Sequence, residues 1–153
     1  MKILFIVLFI VCSFNAQAQT MSQSIMVMDG WIRLTPPIAK NSAAYFTLHN
    51  MSDKAVTLVE VKTEIAETAM MHDVVIDKSM ARMVHLPELT IDSGDQVIFA
   101  PGGKHLMLVN LTQKLSADQE VKLTFSLKSG EIITTTMRVM KEYQPSSAVH
   151  QHD

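Results

Sequence analysis

Cysteine is nearly absent: there is one in 153 residues, Cys12, inside the apolar start of the chain. Beyond it there is no thiol to form a disulfide and no thiolate to hold a metal. Thiol–disulfide exchange and blue-copper electron transfer, which needs a cysteine ligand, are therefore excluded for the rest of the chain. Long apolar runs are also missing. The stretch from Ile3 to Cys12 is too short to cross a bilayer, and no later segment reaches spanning length. Nor is there an excess of one charge: the formal net charge is −2. A chain without a basic surplus is not built to neutralise phosphates, which argues against nucleic acid as a partner.

The start of the chain reads as a secretory signal peptide. Lys2 precedes the apolar run, and Ala16-Gln17-Ala18 supplies a small-x-small cleavage site. Residues 1–18 are expected to be removed on export, leaving a chain that starts at Gln19, lies in the periplasm and has no membrane span. Anchoring through Cys12 as a lipoprotein is disfavoured, because Phe9-Ile10-Val11 stand where small residues are required. Loss of Lys2 leaves 12 basic against 15 acidic side chains, a net charge of −3. Residues 19–142 suit a single domain able to bury its own core. Residues 143–153, with Pro145-Ser146-Ser147, His150 and His152, read as a flexible tail.

Between Ser24 and Met140 short apolar or β-branched runs alternate with turn residues, and no long segment shows helical periodicity. This pattern predicts an all-β sandwich or barrel. The strands expected are 25–33, 43–49, 55–63, 67–76, 81–85, 96–99, 105–110, 120–126 and 132–140. Turns are expected at Pro36-Pro37, Asn50 to Lys54, Asp77-Lys78, Ser93-Gly94-Asp95, Pro101-Gly102-Gly103 and Ser129-Gly130. Asp29-Gly30 reads either as a turn or as a bulge within a strand.

Methionine is the compositional anomaly, with 12 residues against 6 phenylalanines. Taken singly, each methionine is better read as core filler. Spacing relative to histidine distinguishes some of them. If Asp77-Lys78 is a two-residue turn, or the centre of a symmetric four-residue loop, His72 falls opposite Met83. Directly opposed residues place their Cβ atoms about 4.5–5.5 Å apart on one sheet face. His105 and Met107 stand two apart in a strand and so point the same way, with Leu106 and Leu108 turned to the core. Two imidazoles and two thioethers form a soft ligand set, suited to Cu(I) and poorly matched to Mg, Ca or Mn. Structural zinc seldom recruits thioether.

At these residues the chain resembles the periplasmic PCuAC-type copper chaperones. Their pattern of His (or Met), ten residues, Met, twenty-one residues, His, any residue and Met is met by His72, Met83, His105 and Met107. The likeness extends through Trp31-Ile32-Arg33 with Thr35-Pro36-Pro37, the run Ala43 to Leu48 and the run Pro101 to Leu108, over roughly residues 25–140. It implies an all-β, cupredoxin-like β-sandwich or barrel of Greek-key type, and a monomer. It also implies a non-enzymatic copper chaperone that delivers Cu(I) to the CuA centre of cytochrome c oxidase subunit II, alongside a Sco-type protein. Storage or copper resistance is the alternative role.

The remaining residues carry plainer readings beside functional ones. Met70 and His85 are expected opposite each other on the face of His72, as packing and solvated residues or as an auxiliary pair. Met71 is expected in the core, His49 at the surface and Trp31 as an anchor of the core or of a sheet edge. His150 and His152 are candidates for a second, Cu(II) site, and Met21, Met26 and Met28 for accessory donors. Two rival functions are a copper-dependent enzyme, which needs an open coordination position beside a substrate pocket, and an interaction sandwich in which the quartet is accidental.

Overall fold

The computed structural model describes residues 23–143. Residues 1–18, expected to be a signal peptide, with Cys12, and also Met21 and the tail imidazoles His150 and His152, lie outside the described residues. Ten strands run in chain order: β1 (Ile25–Arg33), β2 (Ser42–Asn50), β3 (Val56–Thr63), β4 (Ala66–Asp77), β5 (Met80–His85), β6 (Leu89–Ile91), β7 (Gln96–Phe99), β8 (His105–Leu111), β9 (Glu120–Leu127) and β10 (Ile132–Met140). The expected strands are all present; the three-residue β6 was not anticipated, because Leu89-Thr90-Ile91 is too short for alternation to register.

The strand order is β5-β4-β8-β2-β1-β10-β9-β3-β6. β3 also pairs back on β4 at Val61 and Ala69, which closes β4, β8, β2, β1, β10, β9 and β3 into a barrel. Neighbours distant in sequence are joined by crossovers of the Greek-key kind. Among the described strands only β1 and β10 run parallel; the other pairs are antiparallel. Closure removes most free edges, which antiparallel sheets must otherwise protect.

Alternation along the strands fills the interior. Ile32, Leu48, Leu106, Leu108, Leu123 and Val139 are almost completely buried. Phe46 stacks on Phe99 with centroids 4.5 Å apart and meets Phe125 edge-on at 5.4 Å. Met71 is in this core, as its position in β4 requires, and Trp31 is buried with its ring 4.7 Å from Tyr45. Asp29-Gly30 is the bulge and not a turn. The β1–β2 register slips between Met28 and Trp31, and Asp29 takes a φ of 53°. Gly30 is required there, since a Cβ would lie 2.9 Å from Cγ of Met137.

The edge of β2 is shared by two strands. Residues Phe46 to His49 pair with β7, and Ser42 to Ala44 pair with β8. The Pro101-Gly102-Gly103 turn makes the change-over: Gly102 has a φ of 85°, and the Ala100 N–H donates to the Lys104 carbonyl at 2.7 Å. This tight return lays the start of β8 against β4 and so places His105.

Candidate metal-binding face

β4 turns Met71 inward, so Met70, His72 and Val74 share the outer face by strand alternation. β8 lies beside it with Met107 opposite Met70 and His105 opposite His72. On the other flank, β5 sets His85 opposite His72 and Met83 opposite Val74. Six side chains with soft or borderline donors therefore share one face: Met70, His72, Met83, His85, His105 and Met107.

The hairpin differs from its expected register. The turn is Lys78-Ser79, one residue further along than Asp77-Lys78, so Asp77 pairs with Met80 and His72 with His85, not with Met83. Both turn residues have positive φ, 47° and 69°. Two left-handed residues in succession give a hairpin turn whose twist matches that of the strands. The slip amounts to a two-residue change of partner, a whole pleat repeat, and therefore leaves every side chain on the face expected of it. Met70 likewise faces Met107 and not His85.

His72 occupies the middle of the group. Its ring lies 5.7 Å from the rings of both His85 and His105, tilted by 83° and 74°. These neighbours leave it only 9% exposed even though it is on the outer face. Met83 and Met107 stand diagonally from it, one pleat repeat along β5 and β8 in opposite directions. Diagonal neighbours are about 7–8 Å apart, within reach of long side chains. Met107 is half-buried, whereas Met83 is 57% exposed. The structure thus brings His72, His105 and Met107 together on paired strands and leaves Met83 on the same face at the solvent side. Among the described residues, no three His, Cys, Asp or Glu side chains converge on one point. The imidazoles form a row rather than a closed triad.

Burial and hydrogen bonding set the state of two of these rings. Burial, then the proximity of His105 and His85, keeps His72 below the usual imidazole value. Its Nδ1 is buried without a hydrogen-bond partner, a state rare among buried polar atoms and one that a coordinate bond or a ring rotation would relieve. His105 Nδ1 lies 2.9 Å from the Gly103 carbonyl. A carbonyl only accepts, so Nδ1 carries the proton and Nε2 keeps its lone pair for a ligand.

An ion pair beside the imidazoles was not foreseen from the sequence. Lys104 Nζ donates to Asp73 Oδ2 at 2.6 Å, and the Val74 N–H donates to Asp73 Oδ1 at 2.8 Å. The Lys104 hydrogen bond is the main reason the Asp73 carboxyl is held below its usual range. Asp73 follows His72 and Lys104 precedes His105, so the pair ties together the two strands that carry those rings. Its only sequence signal is that each charge adjoins a candidate donor, and this becomes informative once the β4–β8 register is known.

The accessory candidates on β1 lie elsewhere. Met26 pairs with His49 and Met28 with Thr47, both on β2; His49 is half-buried and not fully at the surface. An apolar depression of about 360 Å³, lined by Trp31, Tyr45, Ile98, Pro101 and Tyr143 among others, contains none of the six donors.

Residues 25–139 match the family model described as "Putative lipoprotein LpqE-like". An uncharacterized protein of Rickettsia prowazekii (strain Madrid E) is 32% identical over 106 residues, which cover 67% of this chain and 59% of that relative. The chain thus spans less than two-thirds of that relative's length. The solution structure of Cu(I)-bound DR1885 from Deinococcus radiodurans is 28% identical with a TM-score of 0.65, covering 84% of this chain and 85% of that one. The copper-bound PCuAC domain of PmoF2 has a TM-score of 0.66 at 18% identity, covering 78% of this chain and 95% of that domain. The shared architecture is all-β, as the strand pattern predicts, and cupredoxin-like, as the resemblance implies.

Proposed function

Starting from a chain that belongs to the LpqE-like family, we propose that it is an exported copper carrier holding Cu(I) with His72, Met83, His105 and Met107. The observation that carries this reading is the direct opposition of His72 and His105 on β4 and β8, with the thioethers Met83 and Met107 on the same face. Imidazoles and thioethers suit a soft monovalent cation, and among the described residues no group of three His, Cys, Asp or Glu side chains is gathered to favour a harder one. The copper named in the titles of the DR1885 and PmoF2 structures supports the choice of metal.

The donors also favour transfer. Met83 is exposed on a strand paired only with β4, so an acceptor's ligand can displace it before the buried His72 lets go. The physiological acceptor in this reading is the CuA centre of cytochrome c oxidase, with a Sco-type partner, and the protein works as a non-enzymatic monomer in the periplasm. The resemblance supports the acceptor, and the signal-peptide pattern of residues 1–18 supports export.

Titration with Cu(I) against a competing chelator tests the site. The expected result is one equivalent bound by the wild type and at least tenfold weaker binding by Met83→Leu and by His105→Ala. Equal binding by all three would overturn the assignment.

A further inference from the structure

β5 brings to the site an imidazole outside the quartet. His85 is directly opposite His72, and the two rings meet edge to face at 5.7 Å. It is exposed, and no described hydrogen bond or ion pair engages its ring. On the far side of His72, at the same separation, is His105. The central ring is therefore shared by two imidazole pairs, one on each flank, and its buried Nδ1 has no partner.

The thioethers are arranged differently. Met107 is displaced along the strands towards Met70, and Met83 in the opposite direction, towards Val74. Nitrogen donors thus occupy the middle row of the face, with Met70 and Met107 on one side of it and Met83 on the other. Cu(I) accepts thioether readily, whereas Cu(II), a harder ion, prefers imidazole and completes its tetragonal shell with water. Opposed residues on antiparallel strands are close enough for two imidazoles to hold one such ion.

We propose that His85 is a further copper ligand and that, with His72, it forms a solvent-side Cu(II) site overlapping the Cu(I) site at the shared His72. This inference rests on the copper-carrier reading for the identity of the metal. Oxidation of bound copper then exchanges the thioether donors for His85, and one face accommodates both oxidation states. The electron leaves to an external one-electron oxidant such as dioxygen, and no bond within the protein is made or broken. A wholly structural His85 would affect neither ion.

The test uses the full mature chain with His150→Ala and His152→Ala, so that tail imidazoles do not contribute. Cu(II) affinity is measured by competition with glycine, and nitrogen coordination by electron paramagnetic resonance; Cu(I) affinity is measured on the same samples. His85→Ala and His85→Gln are expected to weaken Cu(II) at least tenfold, to remove one nitrogen from the hyperfine pattern and to change Cu(I) affinity less than threefold. Met83→Leu should do the reverse. Cu(II) affinity within twofold of the background in both His85 variants would overturn the inference while leaving the Cu(I) reading intact. Loss of Cu(I) binding in the background protein would overturn the carrier reading itself. Because His85 is exposed on a strand paired only with β4, unchanged thermal midpoints in both variants are expected, and they separate ligand loss from misfolding.

Discussion

His72 combines burial with two imidazole neighbours, and both make it harder to protonate. Its native pKa is lowered from the usual 6.5, so as pH falls below 6.5 the unfolded chain takes up a proton that the folded one resists. Stability of the metal-free protein should therefore decline from that pH down to the native pKa of His72 and gain no further slope from this residue below it. His72→Phe should flatten the decline, which denaturant titrations at a series of pH values would show. An unchanged pH profile in that variant would mean that another group is responsible. Asp73 acts in the same direction at lower pH. Its pKa is lowered from 3.8 by the Lys104 hydrogen bond, and its stabilising contribution is lost as pH falls from 3.8 through the native value.

The β4–β5 hairpin shows how an element can be read correctly in kind and still be misplaced in register. Both strands, the two-residue turn and the shared face of His72 and Met83 were legible in the alternation and turn chemistry. The partner of His72 was not. Asp77-Lys78 looked the better turn by composition, yet Lys78 and Ser79 take positive φ although neither is glycine or asparagine. Left-handed residues of this kind are strained by about 1 kcal/mol or more each. Replacing the pair by Asn-Gly should stabilise the protein by about 1 kcal/mol, seen as a higher denaturant midpoint and slower amide exchange along β5. A lower midpoint would show that the side chains of Lys78 or Ser79 contribute more than their backbone strain costs. The bulge in β1 makes the opposite demand. Gly30→Ala pushes a methyl group against a Met137 side chain that is 1% exposed, and should cost about 1–3 kcal/mol. Met137→Val in the same chain should recover part of that loss, and strict additivity in the double-mutant cycle would count against the contact.

Across the whole molecule, Asn50 shows what barrel closure adds. In the sequence it only opened a turn. In the fold it is completely buried, and its Nδ2 donates to the carbonyls of Lys54, Ile91 and Asp92 at 2.7, 3.0 and 3.1 Å. Its Oδ1 accepts from the Ser52 N–H and hydroxyl. One side chain thus joins the end of β2 to the loop after β6, elements far apart in sequence. Asn50→Ala leaves these buried groups short of partners and should cost about 2–4 kcal/mol, measured by equilibrium unfolding. A cost below about 1 kcal/mol would mean that the loop rearranges to satisfy them.

Local sequence determined whatever depends on neighbours in the chain: the alternation that marks nine of the ten strands, the inward side of each of these, and the placing of His105 and Met107 on one face. The choice of all-β architecture followed from the same short-range pattern. Tertiary structure alone decided which strands became neighbours, and with that the meeting of His72 with His105, the arrival of His85 beside them and the Lys104–Asp73 tie. Those contacts depend on crossovers and on hydrogen-bond register between distant segments. A shift by a whole pleat repeat preserves every hydrophobic face, so burial patterns in the sequence carry no information that distinguishes one such register from another.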